Sequence, residues 1–246
     1  MNANINTAIV TDLSKKRAPM SSLRKTALAA GVFYLLTFVS IPTLALYGPV
    51  HDPNYIVGHG PDTDVIIGGI LEIIVALAGI GTAIALYPVL KKQNEGVALG
   101  FVGSRVLEAG TIFIGVAFLL SVVTLRQAGT GTLATGQSLV TLYDRIFLIG
   151  QSFLPAVNAL LLGSLLYQSR LVPRALPMLG FIGAALLVTG DIAVLFGLIG
   201  QHAPSTALAA IPIALWEFSL GIYLVVKGFK PSPITFSKTA LNKISL

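Results

Sequence analysis

Seven ionisable side chains, Glu72, Arg105, Glu108, Asp144, Arg145, Asp191 and Glu217, fall inside stretches otherwise apolar enough to cross a membrane. Placing one such group in hydrocarbon costs roughly 2.5–3.5 kcal/mol on insertion scales. Groups of this kind persist where they pair, line a cavity or act on something. Spread over five spans, the seven are expected to meet in the interior of a helix bundle, in the middle or outer half of the membrane. Five carboxylates face two guanidiniums, and arginine keeps its charge. At most two acids can therefore have a permanent cationic partner. At least one of Glu72, Glu108, Asp191 and Glu217 is expected to be neutral at pH 7, because burial and like charges both disfavour the anion. A neutral buried carboxylic acid can donate a proton or a hydrogen bond. Gln151, Ser152 and Asn158 surround Pro155, and Trp216 precedes Glu217. The expected binding set is Glu72, Arg105, Glu108, Asp144, Arg145, Gln151, Asn158, Asp191, Trp216 and Glu217.

Three chemistries fit that set. One is an outward-facing pocket that binds or transports a small amphiphile or lipid-like molecule. In it the arginines pair the acids or hold an anionic headgroup. The second is a membrane-embedded enzyme that uses a neutral carboxylic acid as general acid on a lipid or isoprenoid substrate. The third is polar glue between helices, worth about 0.6 kcal/mol per contact.

The elements that must position these residues are legible from composition. The chain has 246 residues, 54% hydrophobic and only 11% charged, with mean hydropathy +0.85. Soluble domains carry about 25% charged residues. A spanning helix needs about 20 apolar residues, and six stretches qualify: 26–47, 64–89, 97–124, 140–168, 177–200 and 207–227. The expected fold class is all-α: a polytopic membrane protein with six transmembrane helices in an antiparallel bundle. The first span reads as retained, since its apolar stretch is too long for a cleaved signal. Thirteen of the sixteen Lys and Arg residues lie in the N-terminal tail, the second-to-third loop, the fourth-to-fifth loop and the C-terminal tail. The bias of basic residues toward the cytoplasm puts both termini there, in the bacterial cytoplasmic membrane. Residues 1–25 and 228–246 read as basic cytoplasmic tails, the first of them disordered, flanking one domain over 26–227.

Within the spans, Gly96, Gly100 and Ser104 recur every fourth residue and lead to Glu108, so the third helix is expected to be central and tightly packed along that row. Pro155 sits mid-span and is expected to kink the fourth helix. Trp216 and Tyr34, Tyr47, Tyr87, Tyr143, Tyr167 and Tyr223 are expected mostly as interfacial anchors.

The chain has no cysteine, which excludes disulfides and thiolate chemistry. His51, His59 and His202 all fall outside the spans, where they cannot clasp a membrane haem. No lysine lies inside a span, which argues against a retinal Schiff base, and no nucleotide-binding or serine-elbow motif occurs. The basic residues form no continuous patch, so nucleic acid is not an expected partner. The loop HDPNYIVGHGPDTD holds His51, Asp52, His59, Asp62 and Asp64. Their spacing matches no metal-ligand pattern, so a solvated lid is expected and neither metal nor cofactor is assigned. The bilayer is the expected partner, with a small amphiphile as ligand.

Three segments carry a family resemblance. They are LEIIVALAGIGTAIALYPVLKKQNEGVALGFVGSRVLEAGTIFIG, LPAVNALLLGSLLYQSRLVPRALPMLGFIGAALLVTGD and WEFSLGIYLVVKG. With Arg105-Val-Leu-Glu108-Ala, the Tyr167-Gln-Ser-Arg170 to Pro173 turn and Glu217, they resemble the bacterial integral-membrane family catalogued as domain of unknown function 4386, over about residues 24–229. The resemblance implies a six-helix membrane protein and no particular activity.

Overall fold

Six helices long and apolar enough to span a membrane make up the computed structural model, which describes residues 20–235. They are α1 (Ser22–Leu46), α2 (Asp62–Leu90), α3 (Glu95–Gln127), α4 (Leu133–Ser169), α5 (Ala175–Leu195) and α6 (Pro204–Val226). Among the described residues there is no strand. Most of the two expected tails, 1–19 and 236–246, lies outside the described residues. The parts inside are structured: α1 begins at Ser22, with the Ser21 hydroxyl accepting from the Arg24 amide at 3.2 Å. At the other end of the domain, Lys230 donates its amide to Leu171 at 2.8 Å, and Ser232 is buried with its hydroxyl on the Ser169 carbonyl.

The outside is as apolar as the inside. Ile70, Leu77 and Ile84 repeat every seven residues along α2 and are each more than half exposed. That is an unpartnered apolar stripe on a helix that is hydrophobic all round. Such faces, six helices of this length and the composition fit a multi-pass membrane protein. At 33 and 37 residues, α3 and α4 reach about 50 and 55 Å at 1.5 Å per residue. Both exceed the hydrocarbon thickness of about 30 Å.

Acyl chains solvate leucine as well as protein does, so close van der Waals contact carries much of helix association here. The closest approaches of glycine to another helix's backbone involve α6. A Cβ on Gly31 would lie 2.8 Å from the Gly221 carbonyl oxygen and the Val225 nitrogen, and one on Gly183 would lie 2.7 Å from the Ile213 nitrogen. The expected row on α3 does not serve this purpose. A Cβ on Gly96 meets only the Asn94 side chain at 3.5 Å, and one on Gly100 only Leu161 at 3.7 Å. Yet α3 is central, packing on α2 and on both halves of α4. It does so through Phe101, Ile112, Val116 and Leu119, all buried.

Two spans are broken. In α1 the α-helix gives way to a 3₁₀ turn over Thr37–Ser40, before Pro42. Proline has no N–H for the carbonyl one turn back and crowds it. Hydroxyls take over: Thr37, Ser40 and Thr43 each donate to the carbonyl three residues earlier. In α4 a π-helical stretch, Leu148–Phe153, precedes Pro155, so the expected kink takes the form of a widened turn. Gly150 lies in that turn, and a Cβ there would stand 2.0 Å from Thr111 Oγ1 and 2.5 Å from its Cβ.

The loop between α1 and α2 is not a solvated lid. Val50, Tyr55 and Ile56 are buried against Leu119, Val122 and Tyr143. Arg126, near the end of α3, clasps the loop by donating to the Gly58 and Gly60 carbonyls and to Asp62, at 2.8, 2.9 and 2.7 Å.

Gly150→Ala should destabilise the protein by about 1–3 kcal/mol through overpacking at the widened turn. Gly96→Ala, on an exposed helix face, should leave it unchanged or slightly stabler. Thermal melts of the detergent-solubilised variants test the contrast; equal melting points for the two would refute it.

Candidate functional site

Arg105 organises the polar interior. It projects from α3, 3% exposed. Its Nη1 donates to Glu108 at 3.0 Å, one helical turn away on the same face. Its Nη2 donates to Glu217 on α6 at 2.6 Å and to the Tyr34 hydroxyl on α1 at 3.3 Å. Asn158 on α4 donates to the same Glu108 oxygen at 2.7 Å. The guanidinium carbon lies 5.4 Å from the centre of the Tyr34 ring and 5.8 Å from that of Phe101, a cation–π arrangement. One guanidinium thus serves two carboxylates and joins three helices, and the Asn158 bond to Glu108 adds a fourth.

Two further acids lie apart from this trio. Glu72, 1% exposed, accepts through Oε1 from the Tyr143 hydroxyl at 3.0 Å and from Gln151 at 3.2 Å. Asp191, 2% exposed, accepts through Oδ1 from the Ser152 hydroxyl at 2.6 Å. Neither has a cationic partner within 4 Å among the described residues. The widened turn of α4 supplies the neutral donor to each, with Gln151 facing one acid and Ser152 the other.

A cavity of about 290 Å³ lies among all six helices. Its polar lining is Arg105, Glu108, Glu217, Gln151 and Ser152, with Thr37 and Ser40. Its apolar lining includes Val75, Ala76, Ala109, Ile112, Phe147, Leu187, Ile213 and Ala214. Both helix breaks border it, through Thr37–Ile41 and through Gln151–Pro155. Around it Arg105 Nε, Asn158 Oδ1, Asp191 Oδ2 and Glu72 Oε2 are buried without a protein partner. Buried polar atoms are nearly always hydrogen-bonded, so these four orphans leave unmet hydrogen-bonding capacity in the interior.

A family model described as Domain of unknown function (DUF4386) matches residues 29–228. The chain belongs to that family. No curated protein and no solved structure matches it.

In this DUF4386 chain the ten residues singled out by sequence separate into distinct places. Arg105, Glu108, Gln151 and Glu217 line the cavity. Glu72, Asp191 and Asn158 stand one side chain behind it. Trp216 is fully buried, its ring against Gly180 rather than at a membrane interface. Arg145 is exposed and does not join the interior. It precedes the last 20 or so residues of α4, which suffice to cross the hydrocarbon. Asp144 turns to the loops instead: His51 Nε2 lies 3.2 Å from its Oδ1 and His202 Nε2 3.8 Å. The contact with Asp144 raises the His51 pKa above its ordinary 6.5, against burial, which lowers it.

Sequence reasoning missed Tyr34 and Tyr143, which are buried with their hydroxyls in the polar network. It also missed the break at Pro42. The signal was present: Thr37, Ser40 and Thr43 are hydroxyl residues spaced to bond back into a turn that a proline has opened.

Removing the cation should cost more than removing the whole trio. Arg105→Met strands two carboxylates in the interior and should lower stability by about 3–5 kcal/mol. Adding Glu108→Gln and Glu217→Gln to it should recover most of that loss. Unfolding measurements on the single and triple variants decide the matter, and a triple variant weaker than the single one would refute this account of the site.

Proposed function

We propose that this is a multi-pass protein of the cytoplasmic membrane whose interior cavity binds or transports a small amphiphile. The helices are proposed to run antiparallel with both termini on the cytoplasmic side. Two groups of contacts support that arrangement. The loops after α1, α3 and α5 gather in one place, where His51 meets Asp144, Arg126 meets Gly58, and Gln201 donates to the Asp144 carbonyl at 2.8 Å. Segments flanking the other helix ends gather elsewhere. There Arg24 donates to the Leu224 carbonyl at 2.9 Å and to that of Val225, Gln93 meets Gln168, and Lys230 meets Leu171. The second group carries the basic loops.

The observation that carries the ligand reading is a mixed lining: the charged trio and the neutral donors Gln151 and Ser152 share one cavity with aliphatic and aromatic side chains. At about 290 Å³ it lies at the small end of ligand pockets, about 300–1,000 Å³. The trio sums to one net negative charge when its members are ionised. Both Nη atoms of Arg105 are engaged by Glu108, Glu217 and Tyr34. An anionic headgroup would have to displace a carboxylate, whereas a cationic or donor-rich head adds a partner for Glu217. The enzyme reading is less favoured. The acids without a cation, Glu72 and Asp191, reach the cavity only through Gln151 and Ser152, and a general acid must touch its substrate.

Decylammonium and decanoate form a matched test pair. Decylammonium should raise the melting point of the purified protein and decanoate should not. Glu217→Gln should weaken decylammonium binding about tenfold, or 1.4 kcal/mol, and Ala214→Phe, which fills the cavity, should abolish it. Native mass spectrometry of gently extracted protein should find a bound amphiphile. A clean apo protein indifferent to both probes would end the proposal.

A further inference from the structure

We infer that His51, Asp144 and His202 form a binding site for a divalent transition-metal ion of the zinc type, tying the α1–α2 loop to α4 and to the α5–α6 loop. Among the described residues they are the one group of three side chains whose ligand atoms all lie within 4.8 Å of one another. Two imidazole nitrogens and one carboxylate oxygen are a donor set that zinc favours. The residues are 93 and 58 positions apart in sequence, and no short motif contains them.

The geometry suits an ion. Zinc bonds of about 2.0–2.2 Å in a tetrahedron place ligand atoms roughly 3.3 Å apart. Here the two Nε2–Oδ1 distances are 3.2 and 3.8 Å. The His51 and His202 rings lie edge to face with centres 5.2 Å apart. His202 is largely exposed, with 67% of its side chain accessible, so its side chain is free to swing toward the other two ligands.

The hydrogen bonding of His51 is the second, independent observation. Its Nδ1 lies 2.7 Å from the Tyr47 carbonyl oxygen. A carbonyl only accepts, so the proton sits on Nδ1. In the neutral imidazole Nε2 then offers a lone pair toward an anionic oxygen. Two acceptors at 3.2 Å need a cation between them, either a proton or a metal. A proton accounts for His51 and Asp144 alone. A metal would also engage the second imidazole, whose Nε2 stands 3.8 Å from the same oxygen, beyond hydrogen-bond distance. The supporting shell also resembles that of metal sites, where the ligating histidine donates its other nitrogen to a carbonyl and so fixes its orientation. Behind the ligands, Tyr47 and Tyr143 pack edge to face at 5.5 Å, bracing the two segments that carry His51 and Asp144. Gln201 pins the His202 loop to the Asp144 carbonyl, and its own Oε1 is buried without a protein partner.

Three protein ligands leave a tetrahedral ion one position for water or an outside ligand. His51 and Asp144 also line a second cavity of about 210 Å³, together with Tyr55, Gln137 and Thr141, so that position has room beside it.

The test uses the full chain in detergent, stripped with EDTA and titrated with Zn²⁺ alone. One ion should bind per chain and raise the melting temperature by several degrees, with EDTA reversing the shift. Asp144→Asn, which keeps the side-chain shape, and His202→Ala, at an exposed position that folding does not need, should each weaken binding at least about tenfold, the scale that even an outer-sphere partner carries. His59→Ala, in the same loop as His51 but outside the cluster, should bind like the parent. Failure of the parent to bind stoichiometric Zn²⁺ would overturn the inference, as would His202→Ala binding as tightly as the parent. So would a metal-indifferent protein whose stability is present below pH 6.5 and lost as pH rises through the raised His51 value, the behaviour of a simple imidazolium–carboxylate pair.

Discussion

One guanidinium in a greasy interior constrains the rest of this bundle. Transferring Arg105, Glu108 and Glu217 out of water costs several kcal/mol for each ion. Opposite charges about 4 Å apart return about 4 kcal/mol at an effective dielectric near 20, and the two glutamates repel each other. The trio therefore does not add stability over an apolar replacement, and its cost is offset only while every member is in place. That makes position, not strength, its contribution. Arg105 on α3 must face Glu217 on α6 and Tyr34 on α1, and Glu108 must face Asn158 on α4. A shift of one residue in any of these helices would leave a charge or donor facing hydrocarbon.

The cavity beside the trio exists because two helices are imperfect at the same place. An unbroken α1 and an unbroken α4 would present continuous walls. Pro42 opens the turn before it in α1, and Pro155 is preceded by a widened turn in α4. Both altered turns border the same cavity. Backbone irregularity in a membrane is tolerated where it is buried in protein or lines a polar space, and both broken turns border the cavity. The α4 turn has a further consequence. It sets Gln151 and Ser152 side by side, one bonded to Glu72 and the other to Asp191. The two acids are thereby held at the margin of the cavity, each represented at its wall by a neutral side chain.

Much of this was legible in the chain because the membrane simplifies the reading. Six apolar stretches correspond to six helices, with ends shifted by up to seven residues: α5 stops at Leu195, not 200, and α4 starts at Leu133, not 140. The apolar scale also pointed to Glu72, Arg105, Glu108, Asp191 and Glu217 as interior groups, since few other sites could accept them. What hydropathy lacks is direction around the helix axis. Asp144 and Arg145 are neighbours in sequence, roughly 100° apart on a helix of 3.6 residues per turn, and only the first faces other protein groups. Tyrosines near span ends read as interfacial, because their amphipathic rings suit that depth equally well. Tyr34 and Tyr143 instead point inward, their rings packed in the apolar core and their hydroxyls bonded to Arg105 and Glu72. The small-residue row on α3 misled for a related reason: spacing identifies a smooth helix face but not whether a partner lies against it. Gly31 and Gly183, without such a row, make the closest backbone approaches.

The loop between α1 and α2 adds a last constraint on how the cavity communicates with its surroundings. Had it been a solvated flap, the cavity would be expected to open beneath it. Instead Val50, Tyr55 and Ile56 form a small core of their own with α3 and α4, and Arg126 and Asp62 tie it down. None of the residues 48–61 lines the larger cavity. The lining does reach Ile41, which is 58% exposed, in the broken turn of α1. The packed loop and the open turn therefore divide the labour: one end of the bundle is closed by a core, and the cavity borders the surface where Pro42 has interrupted a helix. An apolar side chain, Ile41, stands at that border.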